Sequence, residues 1–470
     1  MKSNQSPYYK DHFFIIFLGL ILIRAFFNGF LPLMDKTEAR YAEIARLMVE
    51  TGNWVTPQID YNIPFWAKPP LSTWASASSL YFFGNHEFFV RLPYLLVIIA
   101  ICLFVSRYRN DSKESPFLIG AILLTLPEFY LHGGVVSTDT FLLLSITLMF
   151  LSFWEALQTD AKPYWGYLFF VGLGAGLLAK GPIVGILTLP PIFIWLLWTK
   201  NVFYALRKAP WVWGIAILLL ISLPWYLWNE LRSPGFLDYF IVGEHFERYF
   251  NSNWKGDKYG FPKQQPLGIA WGFLLLFLVP WSWMIIRKYF SHFKKIINHP
   301  WLLFLSLWML WTPLFFSVSK SLIHPYILPS TVPAALLVSH YWKSMRYFKP
   351  ILYCAAFLPV LLLCIALMGG AKSMYENATD KYLLQKASKV QPLFSLNHKT
   401  YSSQFYSNGK IAVIDSFQLE QHIQNQFPLS ILIEHRQWKS LSDSIKTRLI
   451  SLAQHSKRGL YTTEFLPKKP

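Results

Sequence analysis

Apolar residues in this chain come in long, nearly unbroken blocks, separated by short polar segments rich in lysine and arginine. A block of about 18 or more apolar residues is long enough to cross a bilayer as a helix. The candidate spans are 13–34, 88–105, 116–131, 139–157, 164–180, 182–199, 211–229, 265–286, 300–318, 322–342 and 350–369. They predict a polytopic α-helical membrane protein with about eleven transmembrane helices, in a range of roughly 10 to 13. Basic residues fall in alternate connections: Arg107, Arg109 and Lys113; Lys200, Arg207 and Lys208; Arg287, Lys288, Lys294 and Lys295; Lys343, Arg346 and Lys349. With Lys2 and Lys10 they mark one cytoplasmic side, because positive loops are retained there. The loop after Met34, the turn at 132–139, the 230–264 loop, the turn at 319–321 and everything after Gly370 then fall on the opposite side.

Composition agrees with this reading. Hydrophobic residues make up 54% of the 470 and charged residues only 14%, too few charges for an ordinary soluble chain of this length. The net charge of +18 does not indicate nucleic acid, because the cations sit in short loops and form no continuous basic face. Cys102, Cys354 and Cys364 all lie in apolar blocks, so neither a disulfide framework nor a cysteine metal site is indicated. The basic N-terminus runs into a full-length apolar block with no small-residue cleavage signature, which reads as a retained first span.

Two polar regions read as structured. ARYAEIARLMVETG places Tyr41, Ile44, Ala45 and Met48 at helical spacing and stops at Gly52; it predicts an amphipathic helix lying on the membrane surface. The tail from about 371 is polar. KIAVIDSF and LSILIEH read as strands, and SLSDSIKTRLISLAQH reads as a helix with Ser440 or Ser442 near its cap. The predicted organisation is a membrane domain over 1–370, with a first loop over 35–87, and a small soluble α/β domain over 371–470.

Candidate chemistry gathers on the side away from the basic loops. The first loop offers Asp35, Glu38, Arg40, Glu43 and Lys68; the GGVVSTDT turn offers Asp139; the GEHFERYF segment offers His245 and Arg248; and SKSLIHPYILP offers Lys320, His324 and Tyr326. Arginine and lysine hold phosphate oxygens, and a carboxylate can assist an incoming nucleophile. Each residue alone has an ordinary explanation. A loop carboxylate is usually solvated, and Trp54, Trp66, Trp225 and Trp281 flank spans as interfacial anchors do. The glycines of GLGAGLLAKG suit close helix packing. Arg24, inside the first span, is either functional or tied to a polar neighbour.

Taken in order, TEARYAEIARLMVETGNWVTPQ, IPFWAKPPL, GNHEFFVRLP, STDT, LLAKGP, LPWYL, GEHFERYF and SKSLIHPYILP resemble the polyprenyl-phosphate-dependent glycosyltransferases of the GT-C fold. These comprise the bacterial aminoarabinose transferases and the related protein mannosyltransferases, and the resemblance covers roughly residues 10 to 345. It implies an undecaprenyl-phosphate-linked sugar as donor and a lipid or glycan acceptor such as lipid A. It also implies a multi-pass protein of the bacterial inner membrane, with active site and tail in the periplasm and no nucleic-acid partner. By position it makes the acidic motif, Asp35 or Glu38, catalytic, with Asp139 matching a further acidic residue. Arg40 belongs to the same motif, and Lys68, Arg248 and Tyr326 match phosphate contacts. Lys180 matches a Lys-Gly after another span, and Lys320 falls in the last matching segment. Two departures stand out. Thr37-Glu38 replaces the usual Asp-Glu pair, leaving Asp35 two positions earlier. Ala67 replaces the glutamate that, with the motif histidine (here His245), holds a divalent metal in aminoarabinose transferases; a zinc site thereby loses a ligand. The expected chemistry is an inverting transfer in which cations neutralise the departing phosphate. Rival readings are a transporter or flippase of lipid-linked sugars, a protein O-mannosyltransferase-type activity, and a non-catalytic envelope assembly protein docking through its tail.

Overall fold

A bilayer offers no water to peptide groups, so an apolar block must close its own hydrogen bonds, and a helix does so within one segment. A computed structural model describes residues 11–111, 113–247, 256, 258–259, 264–319, 321–344, 347–370 and 372–463. It shows a multi-pass helical membrane domain with a small sheet domain packed on one end. Five helices among the described residues are long and apolar enough to span: His12–Phe30 (α1), Glu87–Tyr108, Asp139–Ala156, Trp211–Arg232 and Phe348–Leu367. Tyr164–Lys180, Ile183–Thr199 and Pro300–Phe316 are slightly shorter.

Three expected spans are interrupted, each at proline. The 116–131 block splits into Leu118–Leu124 and Pro127–His132, with Leu126 forced into extended backbone before Pro127. The 265–286 block ends at Phe277, and the chain bends by 107° into Ser282–Asn298. The 322–342 block becomes a 3-10 run, His324–Ser330, containing Pro325 and Pro329, followed by the α-helix Thr331–His340. A proline ring removes an N–H and crowds the preceding turn, so a helix cannot run through such positions undisturbed. Two of the four expected tryptophan anchors are interior residues. Trp281 is fully buried, with Nε1 donating to Thr125, and Trp225 donates to the Val55 carbonyl. Arg24 is satisfied inside the bundle: its Nε donates to Asn28 Oδ1 at 3.0 Å, and Asn28 donates on to the Gly133 carbonyl.

The first loop forms the helix Thr37–Thr51 (α2), which ends at left-handed Gly52. Ala39, Ala42, Ile44, Ala45 and Leu47 are all 0% exposed, so both faces of α2 are covered. One side packs on Leu71–Phe83 (α3) and on the strand Gln58–Asp60 (β1, paired with Ile63–Pro64, β2); another packs on the tail helix Tyr401–Tyr406. Alanines keep α2 slim enough to be sandwiched. Its start is clamped by Arg91 of Glu87–Val105 (α4), whose Nε and Nη2 each reach a Glu38 oxygen at 2.8 Å. The same guanidinium donates to the carbonyls of Asn28, Leu31 and Pro32, tying the end of α1 to α2 and α4.

In the tail, strands β3 (Leu393–Leu396), β4 (Ala412–Ile414), β5 (Ser430–Glu434), β6 (Leu449–Gln454) and β7 (Arg458–Thr463) form one sheet in the order β4-β3-β5-β7-β6. Strand β3 runs parallel to β4 and β5; the pairs β5–β7 and β6–β7 are antiparallel. The expected helix over SLSDSIKTRLISLAQH is corrected here. Within it Asp443–Lys446 is one helical turn, with Ser442 at its cap position, Ser440 ends the preceding helix His435–Ser440, and Leu449–Gln454 is β6. The free edge of β7 offers a full row of backbone partners, and that pairing outweighs a weak helical preference.

Arg91 is 3% exposed and Glu38 is 13% exposed, and removing one partner of a buried ion pair leaves the other charge uncompensated. Arg91→Met is therefore expected to destabilise the protein by about 3–5 kcal/mol. Thermal unfolding in detergent is the measurement, and a midpoint equal to that of the unaltered protein would refute the clamp.

Candidate functional site

A cavity in the membrane domain is lined by side chains from five sequence-distant segments: Lys68 from the first loop, Asp139 and Lys180 from two helix ends, Glu244 and His245, and Tyr326. Local sequence explains each placement. Lys68 precedes Pro69-Pro70, which open α3, and a residue before proline is disfavoured from continuing a helix. The strap before it is pinned by Tyr259, whose hydroxyl accepts from Trp66 N at 3.0 Å and donates to the Pro64 carbonyl at 2.9 Å. Trp66 Nε1 donates to Ser233 Oγ at 2.8 Å.

Asp139 is the first residue of its helix and Lys180 the last of the neighbouring one. A carboxylate at a helix N-terminus and an ammonium at a C-terminus both match the helix dipole, and here they meet at 2.5 Å. The glycines of GLGAGLLAKG permit this approach. A Cβ on Gly172 would lie 2.9 Å from Met149 Cγ of the Asp139 helix, while Gly176 gives room to the next helix, Ile183–Thr199, where its Cβ would lie 2.4 Å from Val184 Cγ2. Lys180 Nζ also sits 4.3 Å from the centre of the Tyr326 ring, a cation–π contact. Gly181, with φ +83°, turns the chain away where any side chain would strike Phe240.

Glu244 and His245 lie on the π-helical run Asp238–Glu247. Lys68 Nζ donates to Glu244 Oε2 at 2.8 Å and to the Ala67 carbonyl at 2.7 Å, and Tyr239 Oη donates to Glu244 Oε1 at 3.2 Å. His245 Nδ1 donates to the Phe240 carbonyl at 2.7 Å. Burial holds its imidazole below the ordinary histidine value, which keeps it neutral. The cavity thus presents two ammonium groups, two carboxylates, a neutral imidazole and a phenol. Such a set can hold an anionic group and move or steady a proton beside it.

Of the residues expected from sequence, Lys68, Asp139, Lys180, His245 and Tyr326 converge on this cavity. Asp35, Glu38 and Arg40 do not line it. Asp35 accepts from the backbone N–H of Ser402 at 3.0 Å and from the Ser402 hydroxyl, so it binds the tail. Glu38 is held by Arg91, and Arg40 Nη1 donates to the Tyr259 carbonyl at 2.7 Å. Arg248 and Lys320 lie outside the described residues, although Ser319 and Ser321 line the cavity. Sequence reasoning passed over two carboxylates. Glu244 was legible only as the neighbour of a motif histidine. Glu128, fully buried, accepts from His324 Nδ1 at 2.9 Å and lies 3.3 Å from His132 Nδ1; nothing in its local sequence marked it. The residues present do not fit a zinc ion. Ala67 offers no side-chain oxygen, and no three histidine, cysteine or acidic side chains cluster in ligating positions among the described residues.

Comparison with known proteins follows the same line. The chain matches, over residues 11–240, the family model described as dolichyl-phosphate-mannose-protein mannosyltransferase. It is 29% identical over 337 residues to the undecaprenyl phosphate-alpha-4-amino-4-deoxy-L-arabinose arabinosyl transferase of Shewanella sediminis, covering 69% of this chain and 58% of that one. A counterpart in Pseudomonas fluorescens is 27% identical over 310 residues, covering 64% and 54%. The chain therefore spans little more than half the length of these relatives. Among solved structures, ArnT from Cupriavidus metallidurans bound to undecaprenyl phosphate superposes with a TM-score of 0.77 at 17% identity, covering 97% of this chain and 99% of that one. An archaeal oligosaccharyltransferase, AglB from Archaeoglobus fulgidus, gives 0.51 at 10% identity, covering 91% and 70%. The architecture is that of the GT-C membrane glycosyltransferases. In sequence the chain is similar to the polyprenyl-phosphate-dependent members of that class.

The Asp35 contact is open to a titration. Burial pushes its carboxyl from the ordinary 3.8 up to about 6, against the lowering effect of the Ser402 bonds. Because the folded value exceeds the unfolded one, the resulting stability is fully present below 3.8 and is lost as pH rises through about 6. Asp35→Asn cannot titrate. The stability of the unaltered protein minus that of the variant is expected to fall across this window by up to about 3 kcal/mol. Parallel stability curves would exclude the effect.

Proposed function

We propose that this chain transfers a sugar from an undecaprenyl-phosphate-linked donor to an envelope acceptor such as lipid A. In this reading the cavity opens at the periplasmic face of a bacterial inner membrane, and the tail lies on that face. The observation that carries the proposal is the meeting of Lys68 and Lys180 with Asp139 and Glu244 in one cavity.

In the reaction, the bond between the sugar's anomeric carbon and the lipid phosphate oxygen breaks, and an acceptor oxygen bonds to that carbon from the opposite face. The bonding pair leaves with the phosphate. Lys68 and Lys180 neutralise the charge that grows on it, and the cavity holds them in place before the reaction begins. Arg248 and Tyr326 add to this grip as the family pattern has it. Asp139 faces the reacting centre as the carboxylate that takes the acceptor's proton, where the acceptor is a hydroxyl, or steadies the positive sugar ring. Asp35 and Glu38 are engaged in holding the first loop, so the catalytic carboxylate is assigned to the cavity. The likeness to the arabinosyl transferases supports the choice of donor.

Lys68→Ala is expected to lower transfer by about 10²–10³-fold. The assay follows label from an undecaprenyl-phosphate-linked sugar into envelope lipids in membranes carrying each protein. Undiminished transfer by Lys68→Ala would remove the phosphate assignment.

A further inference from the structure

Lys68 and Glu244 form an ion pair whose two halves differ in access. The lysine side chain is 19% exposed and the glutamate 2%. The cation therefore faces the open side of the cavity, with the carboxylate behind it, braced by the Tyr239 hydroxyl. Two of the ammonium's three donors are committed in this state, one to Glu244 and one to the Ala67 carbonyl. Among the described residues, the charged side chains lining the cavity are two cations and two carboxylates, so these four balance one another before any ligand arrives. A phosphate added to that set brings its negative charge against a carboxylate already seated on the same ammonium. Like charges at such separations oppose each other strongly in a dry site.

We propose that Glu244 is the resident counter-ion of Lys68, a positioning residue that holds the lysine in the empty cavity and yields it to the donor's phosphate. This rests on the phosphate-binding role assigned to Lys68 above. Glu244 thereby keeps a buried ammonium paired between turnovers, when an unpaired charge would be costly. It also weakens the hold on the lipid phosphate left after transfer, because its carboxylate competes for Lys68 and helps the product depart. The residue sets the balance between donor capture and product release and does not touch the reacting carbon.

The test is direct binding of undecaprenyl phosphate to purified full-length protein in detergent, together with steady-state transfer kinetics. Glu244→Gln keeps the shape and removes the charge; Glu244→Ala removes both and serves as the second variant. Both are expected to bind the lipid phosphate about ten-fold more tightly than the unaltered protein. Donor KM and kcat should fall together, because product leaves more slowly. A purely structural role would not tighten binding. Equal or weaker binding by folded variants overturns the counter-ion proposal and leaves the transfer function standing. Failure of the unaltered protein to bind the lipid phosphate overturns the donor assignment itself. Loss of folded protein in both variants would make Glu244 a structural partner and end the proposal.

Discussion

A charge in an apolar surrounding must be paired or hydrogen-bonded, and this requirement joins the fold of the membrane domain to its chemistry. Asp139 and Lys180 cap two adjacent helices and meet across their ends; Lys68 and Glu244 come from segments 176 positions apart and meet beside them. Moving an isolated ammonium or carboxylate out of water costs several kcal/mol even after relaxation. A bundle that failed to bring these partners together would therefore be penalised at the cavity itself. The same pairs that let the helices close also supply the cavity's cations and acids.

Around that cavity, the polar regions act as a brace. The Trp66 strap is bonded to Tyr259 and Ser233, and Tyr259 also receives Arg40 through its carbonyl. Arg40 thus links α2 to the strap that carries Lys68, without lining the cavity. On its far side α2 is held by the tail. Asp35 receives two bonds from Ser402, Lys399 reaches Asp60 at 2.9 Å, Lys381 pairs with Glu87, and the Tyr406 hydroxyl receives Leu33 N at 2.7 Å. The tail is consequently a second wall of the first loop. Its own polar cluster, Arg458 with Asp380 and Glu434, joins the end of the sheet to the segment that precedes it.

Sequence reasoning worked where a property is local. Apolar block length located the helices, Gly52 marked the end of α2, and the glycines before Lys180 signalled close packing. The short runs KIAVIDSF and LSILIEH proved to contain strands β4 and β5. It misjudged places where a neighbour decides. Proline breaks inside apolar blocks were masked by continuous hydrophobicity. The segment that becomes β6 has a pattern that suits a helix until β7 offers its edge. The amphipathic pattern of α2 suggested a membrane surface, yet its polar side is covered by protein, with the Arg46–Glu43 pair buried there at 2.7 Å.

The amino-acid order by itself determined that the chain crosses a membrane many times and that its lysines and acids recur in an order resembling one family's. Only the tertiary structure decided which acids serve the cavity. Asp35 and Glu38, the acids of the linear motif, are each bonded to a partner from elsewhere, Ser402 and Arg91. Glu244 and Asp139 are the acids left facing the lysines. The reason is that a carboxylate's role is set by the cation or donor nearest to it in space, and that neighbour lies 53 positions away for Glu38 and 367 for Asp35.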